Sequence, residues 1–248
     1  MVVLLAVGAF FYLRRSPKLT EKDTIVLADF ANSTGDSVFD DTLKTALSVA
    51  LMQSPFLNVL SDNQVAKTLQ LMTRPASTKL TPEVARELCL RAGSKAYIAG
   101  SIGSLGSEYV LGLKAVNCQT GDTLVQEQVE ADSREHVLRA ISQTSTEMRK
   151  KLGESLAAVE RYDVPVEQAT TPSLEALKTY SLGLKTSYSG GGDAVALPFF
   201  QRATVLDPKF AMAAAGGRAL SFPPALGEER YARSRSLLLS LAHARNAR

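Results

Sequence analysis

The sequence predicts an α+β fold, an α/β sandwich followed by a short all-α helix pair. Three observations predict it. Thr24–Phe30 is an apolar run of strand length, three strand-like segments with short turn-bearing connections follow one another between Ala96 and Ala131, and apolar stripes at helical spacing flank both. Composition agrees: of 248 residues, 45% are hydrophobic and 21% charged, ordinary globular usage that excludes a disordered chain, a collagen and a polytopic membrane protein. The net charge of +3 belongs to the end of the chain, where arginine replaces lysine after Lys209. The body is close to neutral, so no nucleic acid partner is expected.

Each element has its local reason. Thr24–Phe30 suits a buried central strand, and the turn cluster Asn32-Ser33-Thr34-Gly35-Asp36 leads into a helix. Phe39, Leu43, Ala46, Leu47, Ala50 and Leu51 recur on one face of that helix, which Ser54-Pro55 ends. Phe56–Leu60 reads as a second strand, and a short helix over about 63–72 follows. Thr81-Pro82-Glu83 is a helix start, by capping, by proline in the first turn and by the dipole. That helix runs through Val84, Leu88 and Cys89 to Gly93. Ala96–Gly103, Tyr109–Cys118 and Thr123–Ala131 are the three successive strands. In the middle one, Tyr109, Leu111, Leu113 and Ala115 face one way and Val110, Lys114 and Val116 the other. Asp132 with Glu135 resembles a capping box for a last helix whose core face carries Val137, Ile141, Met148 and Leu152. The expected order is β-α-β-α-α-β-β-β-α.

The two ends differ from this body. Val2–Leu13 is uncharged and apolar and closes on Arg14-Arg15. Twelve helical residues cover roughly 18 Å of a hydrocarbon core of about 30 Å. The segment is expected to be the second half of a transmembrane helix; a hydrophobic strand or core helix is the competing reading. Beyond Val164–Pro172 the character changes again. Leu174–Gly183 reads as a helix, Ser189–Asp193 as a turn, and Ala194–Leu206 as a second helix ending in Asp207-Pro208. This is the outline of a tetratricopeptide repeat, with Ala196, Phe200, Ala203 and Pro208 at the repeat's packing positions. Pro198 departs from it, since proline past the first turn bends a helix. After Ala214 the pattern gives way to Gly-Gly-Arg-Ala-Leu-Ser-Phe-Pro-Pro, either a shifted reading frame or a basic amphipathic tail.

The segments Ile25–Asp36, Gly93–Ile102 and Val116–Asp122 resemble the amino-terminal-type TolB domain attached to membrane-bound bacterial serine/threonine kinases and transcriptional regulators. The resemblance implies a membrane helix, this domain, and tetratricopeptide repeats outside the membrane. Expected divisions are 1–15 partial transmembrane helix, 16–22 linker, 23–157 TolB-like domain, 158–172 linker, 173–214 tetratricopeptide-like helices and 215–248 basic tail. The function it implies is a non-catalytic, membrane-anchored sensor or interaction region of a kinase. The alternative is a component of an envelope assembly that docks a peptide or protein. A protein or peptide partner, membrane contact through residues 1–13 and a periplasmic soluble part follow from either. If the domain is extracytoplasmic, Cys89 and Cys118 can form a structural disulfide tying the third helix to the sheet. Two buried free thiols are the alternative.

No catalytic residue, cofactor or metal ligand is expected. The kinase motifs are absent: no glycine-rich loop with its valine, no Val-Ala-Ile-Lys, no His-Arg-Asp and no Asp-Phe-Gly. Gly100, Gly103 and Gly106 lie on a strand and hairpin, with no helix to complete a dinucleotide site. Gly190-Gly191-Gly192 lacks the Lys-Ser/Thr of a phosphate loop. Asp36, Asp40 and Asp41 fit the acidic start of a helix better than a cation site. His136 reads as a solvated or capping residue, and His243 lies in the tail.

Overall fold

Ile25, Val26 and Leu27 are buried from both sides, which makes β1 (Thr24–Leu27) the centre of the sheet. The computed structural model of the chain describes residues 19–21, 23–189 and 191–220. Parallel to β1 run β3 (Asn58–Val59) on one side and β4 (Ala96–Leu105) on the other, with Val26 opposite Tyr97. Antiparallel β5 (Glu108–Asn117) and β6 (Thr123–Ala131) extend the sheet beyond β4. The order is β3-β1-β4-β5-β6, and the fold is the mixed α/β sandwich that the patterning predicts.

Helices cover the sheet unequally. Against one face lie α1 (Thr42–Met52) and α4 (Val137–Leu152), burying Leu43, Leu47, Ile141 and Met148 on Leu111, Leu113 and Ala115. Against the other lie α2 (Asp62–Leu71) and α3 (Pro82–Arg91), in a smaller core with Val26, Leu88, Cys89, Tyr97 and Val116. That second cover stops short of the meander. The outer faces of β5 and β6 carry exposed Lys114, Gln126, Gln128 and Glu130, as an antiparallel sheet solvated on one side should. Thr81 caps α3 by accepting from Val84 N–H, with Pro82 in its first turn. Gly93, beyond the end of α3, takes φ +65, a conformation that costs glycine nothing.

Three local readings need correction. The run Thr24–Phe30 leaves the sheet after Leu27 and returns as β2 (Ala31–Asn32), parallel to β4 at Ser101 and Ile102. The ring of Phe30 fills the place of the side chain that Gly100 lacks: a Cβ there would meet the ring at 2.3–2.6 Å. Asp132 and Glu135 form no capping box. A 3-10 turn (Arg134–His136) precedes α4, and Asp132 instead takes His136 Nδ1 at 2.5 Å. Residues 158–172 are no bare connector, because α5 (Leu156–Tyr162) and α6 (Val166–Ala169) lie in or across them. Leu19, within the stretch expected to link, is buried in the main core.

The segment after α4 is held by buried charge. Arg149 pairs with Glu154 through Nε at 2.8 Å and Nη2 at 3.0 Å, and through Nη1 with Asp163 at 2.9 Å. The side chains of Arg149 and Glu154 have no exposed surface. Ser54 Oγ donates to Glu154 at 2.6 Å, and Gln53 exchanges two hydrogen bonds with the backbone of Val164.

The chain then forms α7 (Leu174–Tyr188), α8 (Asp193–Leu206) and α9 (Ala211–Leu220). Ala196, Phe200 and Ala203 are buried between helices, whereas Pro208 is exposed at the turn. Pro208 ends a helix here without packing in one. Pro198 lies inside an uninterrupted α8. The Gly-Gly after Ala214 belongs to α9, where a Cβ on Gly216 would come to 3.1 Å from Phe200. Phe210 is fully buried against Tyr180, with ring centroids 5.0 Å apart. The expectations for residues 1–15, and for the tail from 221 on, lie outside the described residues. Among the described residues no helix is long and apolar enough to cross a membrane.

Two substitutions test this packing. Gly100→Ala should lower unfolding free energy by about 1–3 kcal/mol, because the Phe30 ring must leave its rotamer. Arg149→Ala should cost about 3–5 kcal/mol, because it strands the Glu154 carboxylate in the interior. Urea denaturation followed by circular dichroism measures both.

Candidate functional site

The kink after Leu27 places Asp29 at the carboxyl end of β1. From β1 the chain goes to β3 on one side through α1, and then crosses from β3 through α2 and α3 to β4 on the other. A sheet that reverses direction in this way leaves a crevice beyond its carboxyl ends, the usual position for ligands in open α/β sheets. Here the crevice has a volume of about 490 Å³, within the range of roughly 300–1,000 Å³ for ligand pockets. Leu27, Asp29, Leu60 and Ser61 form its floor; α1 and α2 supply one side, residues 76–80 another, and α7 with Met212 of α9 the roof.

Charge in the wall is mostly paired. Lys44 Nζ donates to Asp29 Oδ1 at 2.6 Å, and Asp29 Oδ2 accepts the Leu80 N–H at 2.7 Å. Lys185 of α7 reaches both oxygens of Asp41, at 3.0 and 2.9 Å. Asp40 accepts from Asn32 Nδ2 at 2.8 Å. Asp62 opens α2 after a complete capping box between Ser61 and Gln64 and has no hydrogen-bond or ion-pair partner among the described residues. Water reaches it within the crevice, yet the protein surrounding it disfavours its charge. Its pKa is raised, desolvation outweighing the attraction of Lys44, and Asp29 adds to the rise. Burial likewise pushes the Tyr180 phenol above its ordinary range, helped by Tyr188 and Asp62.

Two hydroxyls of the wall serve the backbone. Ser181 Oγ donates to Leu177 O at 2.8 Å and Thr45 Oγ1 to Asp41 O at 3.2 Å. Neither His nor Cys lines the crevice, so no hydroxyl has an imidazole base beside it. Among the described residues no group of three His, Cys, Asp or Glu is placed to hold a metal ion.

The acidic turn of the sequence serves a different purpose. Asp36 accepts from Val38 N–H and from Arg134 Nε, both at 2.9 Å. Those bonds hold its carboxyl below the usual range, the backbone bond contributing most. Arg134 also reaches Glu175 at 2.8 Å, so Asp36 and Asp41 tie α7 to the sheet domain. His136, the only histidine among the described residues, lies with Asp132 away from the crevice and lowers the pKa of that carboxyl.

Of the candidate residues weighed in the sequence, only Asp40 and Asp41 line the crevice. Cys89 and Cys118 come together as a disulfide in the smaller core, Cα atoms 6.2 Å apart. Arg86 braces the same junction by donating to Cys118 O and Gln119 O. Ala196, Phe200 and Ala203 pack the helix pair. Sequence reasoning missed Asp29, Lys44, Asp62 and Tyr180. Only Asp29 carried a signal, as an acid closing a buried strand.

No protein-family model and no curated protein matches the chain. Among solved structures, the LpoB C-terminal domain from Salmonella enterica is similar at 15% identity and TM-score 0.43, over 50% of this chain and 91% of that one. TolB from Acinetobacter baumannii is similar at 16% identity and TM-score 0.38, over 55% of this chain and 30% of its own. Lipoprotein GNA1162 from Neisseria meningitidis is similar at 14% identity and TM-score 0.38, over 54% of this chain and 98% of its own.

Asp62 yields a pH prediction. Its folded-state pKa lies above its unfolded value, so the fold resists charging it. The penalty is absent below the ordinary Asp range near ~4 and grows as pH rises through the folded value. The stability difference between Asp62→Asn and the parent should therefore shift toward the variant from about pH 3 to about pH 7. Urea midpoints across that range measure it.

Proposed function

We propose that the protein is a non-catalytic docking domain of an envelope assembly, and that it receives a protein or peptide partner in the crevice at the carboxyl end of β1. One observation carries this reading. The crevice is walled by both the sheet domain and the helix pair, is mixed in polarity, and has neither imidazole nor thiol beside its hydroxyls. It is built to hold an occupant and lacks the groups that would transform one.

The other exposed feature, the outer edge of β6, is less suited to a partner. Glu127 turns inward from that strand to Lys151 Nζ at 2.7 Å, and the ladder to β5 shifts register at Ala115/Val116. An inward charge and a bulge are the devices by which edge strands avoid pairing with other chains. The disulfide Cys89–Cys118 supports an oxidising compartment outside the cytoplasm, in keeping with the TolB-like sequence segments. The comparisons give no support to a kinase-linked sensor or to tetratricopeptide repeats, so the envelope-docking alternative takes precedence.

Photo-crosslinking tests the reading. Ser77 on the crevice rim and Gln128 on the open sheet face are both exposed. A benzophenone amino acid at Ser77 should yield one discrete protein adduct in intact cells, and one at Gln128 should not. No adduct from Ser77, or equal labelling from both, would count against docking in the crevice.

A further inference from the structure

Two hydrophobic layers meet at the crevice, and they are secured differently. On one side Tyr180, Leu184 and Met212 belong to the main core, together with α1, α4 and the inner face of the meander. On the other side Val65, Leu69 and Leu80 belong to the smaller core under α2 and α3. Each of those two helices has ten residues, a length that is marginal without packing. Thr73, just beyond α2, takes φ +58, a conformation that penalises a β-branched side chain. The ion pairs of Arg74 and Arg91 with Glu87 stay within the layer at the surface and contribute little. α3 is tied to the sheet at two places. Before its start, Asp29 N–H donates to Leu80 O at 2.9 Å and Leu80 N–H to Asp29 Oδ2 at 2.7 Å. Near its other end Cys89 is bonded to Cys118, just past β5, with Arg86 on the Cys118 and Gln119 carbonyls beside it. With two cysteines in the chain, this is the one disulfide it can form within itself.

We propose that this disulfide is a redox-sensitive strap on the crevice. Oxidised, it keeps α2, α3 and residues 76–80 in place as one wall; reduced, that layer opens apart from the rest of the fold and the crevice loses the wall. The inference deepens the docking reading, as regulation of the same crevice, and rests on it. The chemistry is thiol–disulfide exchange with a dithiol. One thiolate of the reductant attacks a sulfur of the pair, which breaks the Cys89–Cys118 bond and forms a mixed disulfide. The second thiolate then displaces that sulfur, and the reductant leaves as its own cyclic disulfide. Two electrons pass to the protein, and the two protons of the dithiol end on Cys89 Sγ and Cys118 Sγ. Both cysteines are fully buried, so attack requires the layer to lift first, and an occupant that bridges both walls opposes the lifting. Occupancy therefore protects the disulfide, and reduction weakens the occupant by the same factor. Location decides which part responds. The two sulfurs lie in the smaller core, and the main core contains no cysteine. Free thiols suit an apolar interior, so the reduced protein keeps its fold while the layer loses its tether.

The test follows amide hydrogen exchange in the full-length, 15N-labelled protein, oxidised and after dithiothreitol, with Cys89→Ala/Cys118→Ala as a form that cannot be oxidised. Leu80, Ala85 and Ala92 report on the layer, and Ile141 and Ser145 of α4 on the main core. In both forms without the disulfide, the ratio of layer to α4 exchange rates should rise about a hundredfold. An unchanged ratio, whether both sets quicken together or neither does, would mean that the disulfide does not hold this layer in particular, and the strap is wrong. Loss of the whole fold, or a disulfide that dithiothreitol leaves intact in the folded protein, would also overturn it. In cells, the adduct from a benzophenone amino acid at Ser77 should fall about tenfold or more when both cysteines are alanine. Labelling at the parent level would sink the regulation and leave docking standing. No adduct from the parent itself would remove docking, and the exchange ratio would then decide the strap alone.

Discussion

Arg149 and Glu154 place opposite full charges where water does not reach, and the course of the chain beyond the sheet domain depends on that pair. Removing an ion from water costs several kcal/mol even after relaxation, and mutual attraction offsets this only when the remaining donors and acceptors are also satisfied. Here they are. The guanidinium is bidentate to Glu154 and single to Asp163, and Ser54 Oγ completes the carboxylate while accepting the Phe56 and Leu57 N–H groups. One cluster thereby fixes the end of α4, the loop into β3 and the approach to α6. A hydrophobic replacement of the whole cluster could match its stability, but it would not specify where residues 154–164 must lie. That placement aims α7 across the carboxyl end of β1 and gives the crevice its roof.

The crevice itself follows from a local defect. A strand continued straight from Thr24 through Phe30 would have filled the space that Asp29 now borders. Phe30 turns into the core over Gly100, and the backbone of Asp29 bonds Leu80 in place of a sheet neighbour. Gly100 on the adjacent strand thus makes room for the ring beside the site.

The sheet domain was legible because its signals are local. The buried run at Thr24, the alternation from Tyr109 to Val116 and the Thr81-Pro82 start each concern neighbouring residues, and the structure realises the last two in full and the first as far as Leu27. What was not legible depended on distant partners. β2 is two residues long and exists only because Ser101 and Ile102 lie beside it. Asp132 was available to cap, but His136 one turn on competed for it. Gly216-Gly217 read as a loss of pattern because nothing local reveals that a phenylalanine from α8 needs the room. The crevice was invisible for the same reason: Lys44, Asp62 and Tyr180 are spread over more than a hundred positions, and each is unremarkable alone.

The roof and the floor of the crevice come from parts of the chain joined covalently only through residues 153–173. An occupant that touches both must bind the assembled arrangement more tightly than one in which the helix pair has swung away. By thermodynamic linkage the converse holds with equal force: whatever draws α7–α9 off the sheet weakens the occupant by the same factor. The helices share one buried core with the sheet, so an occupant touching both walls would add to a seam already made by Asp36, Arg134 and Glu175 and by Asp41 and Lys185.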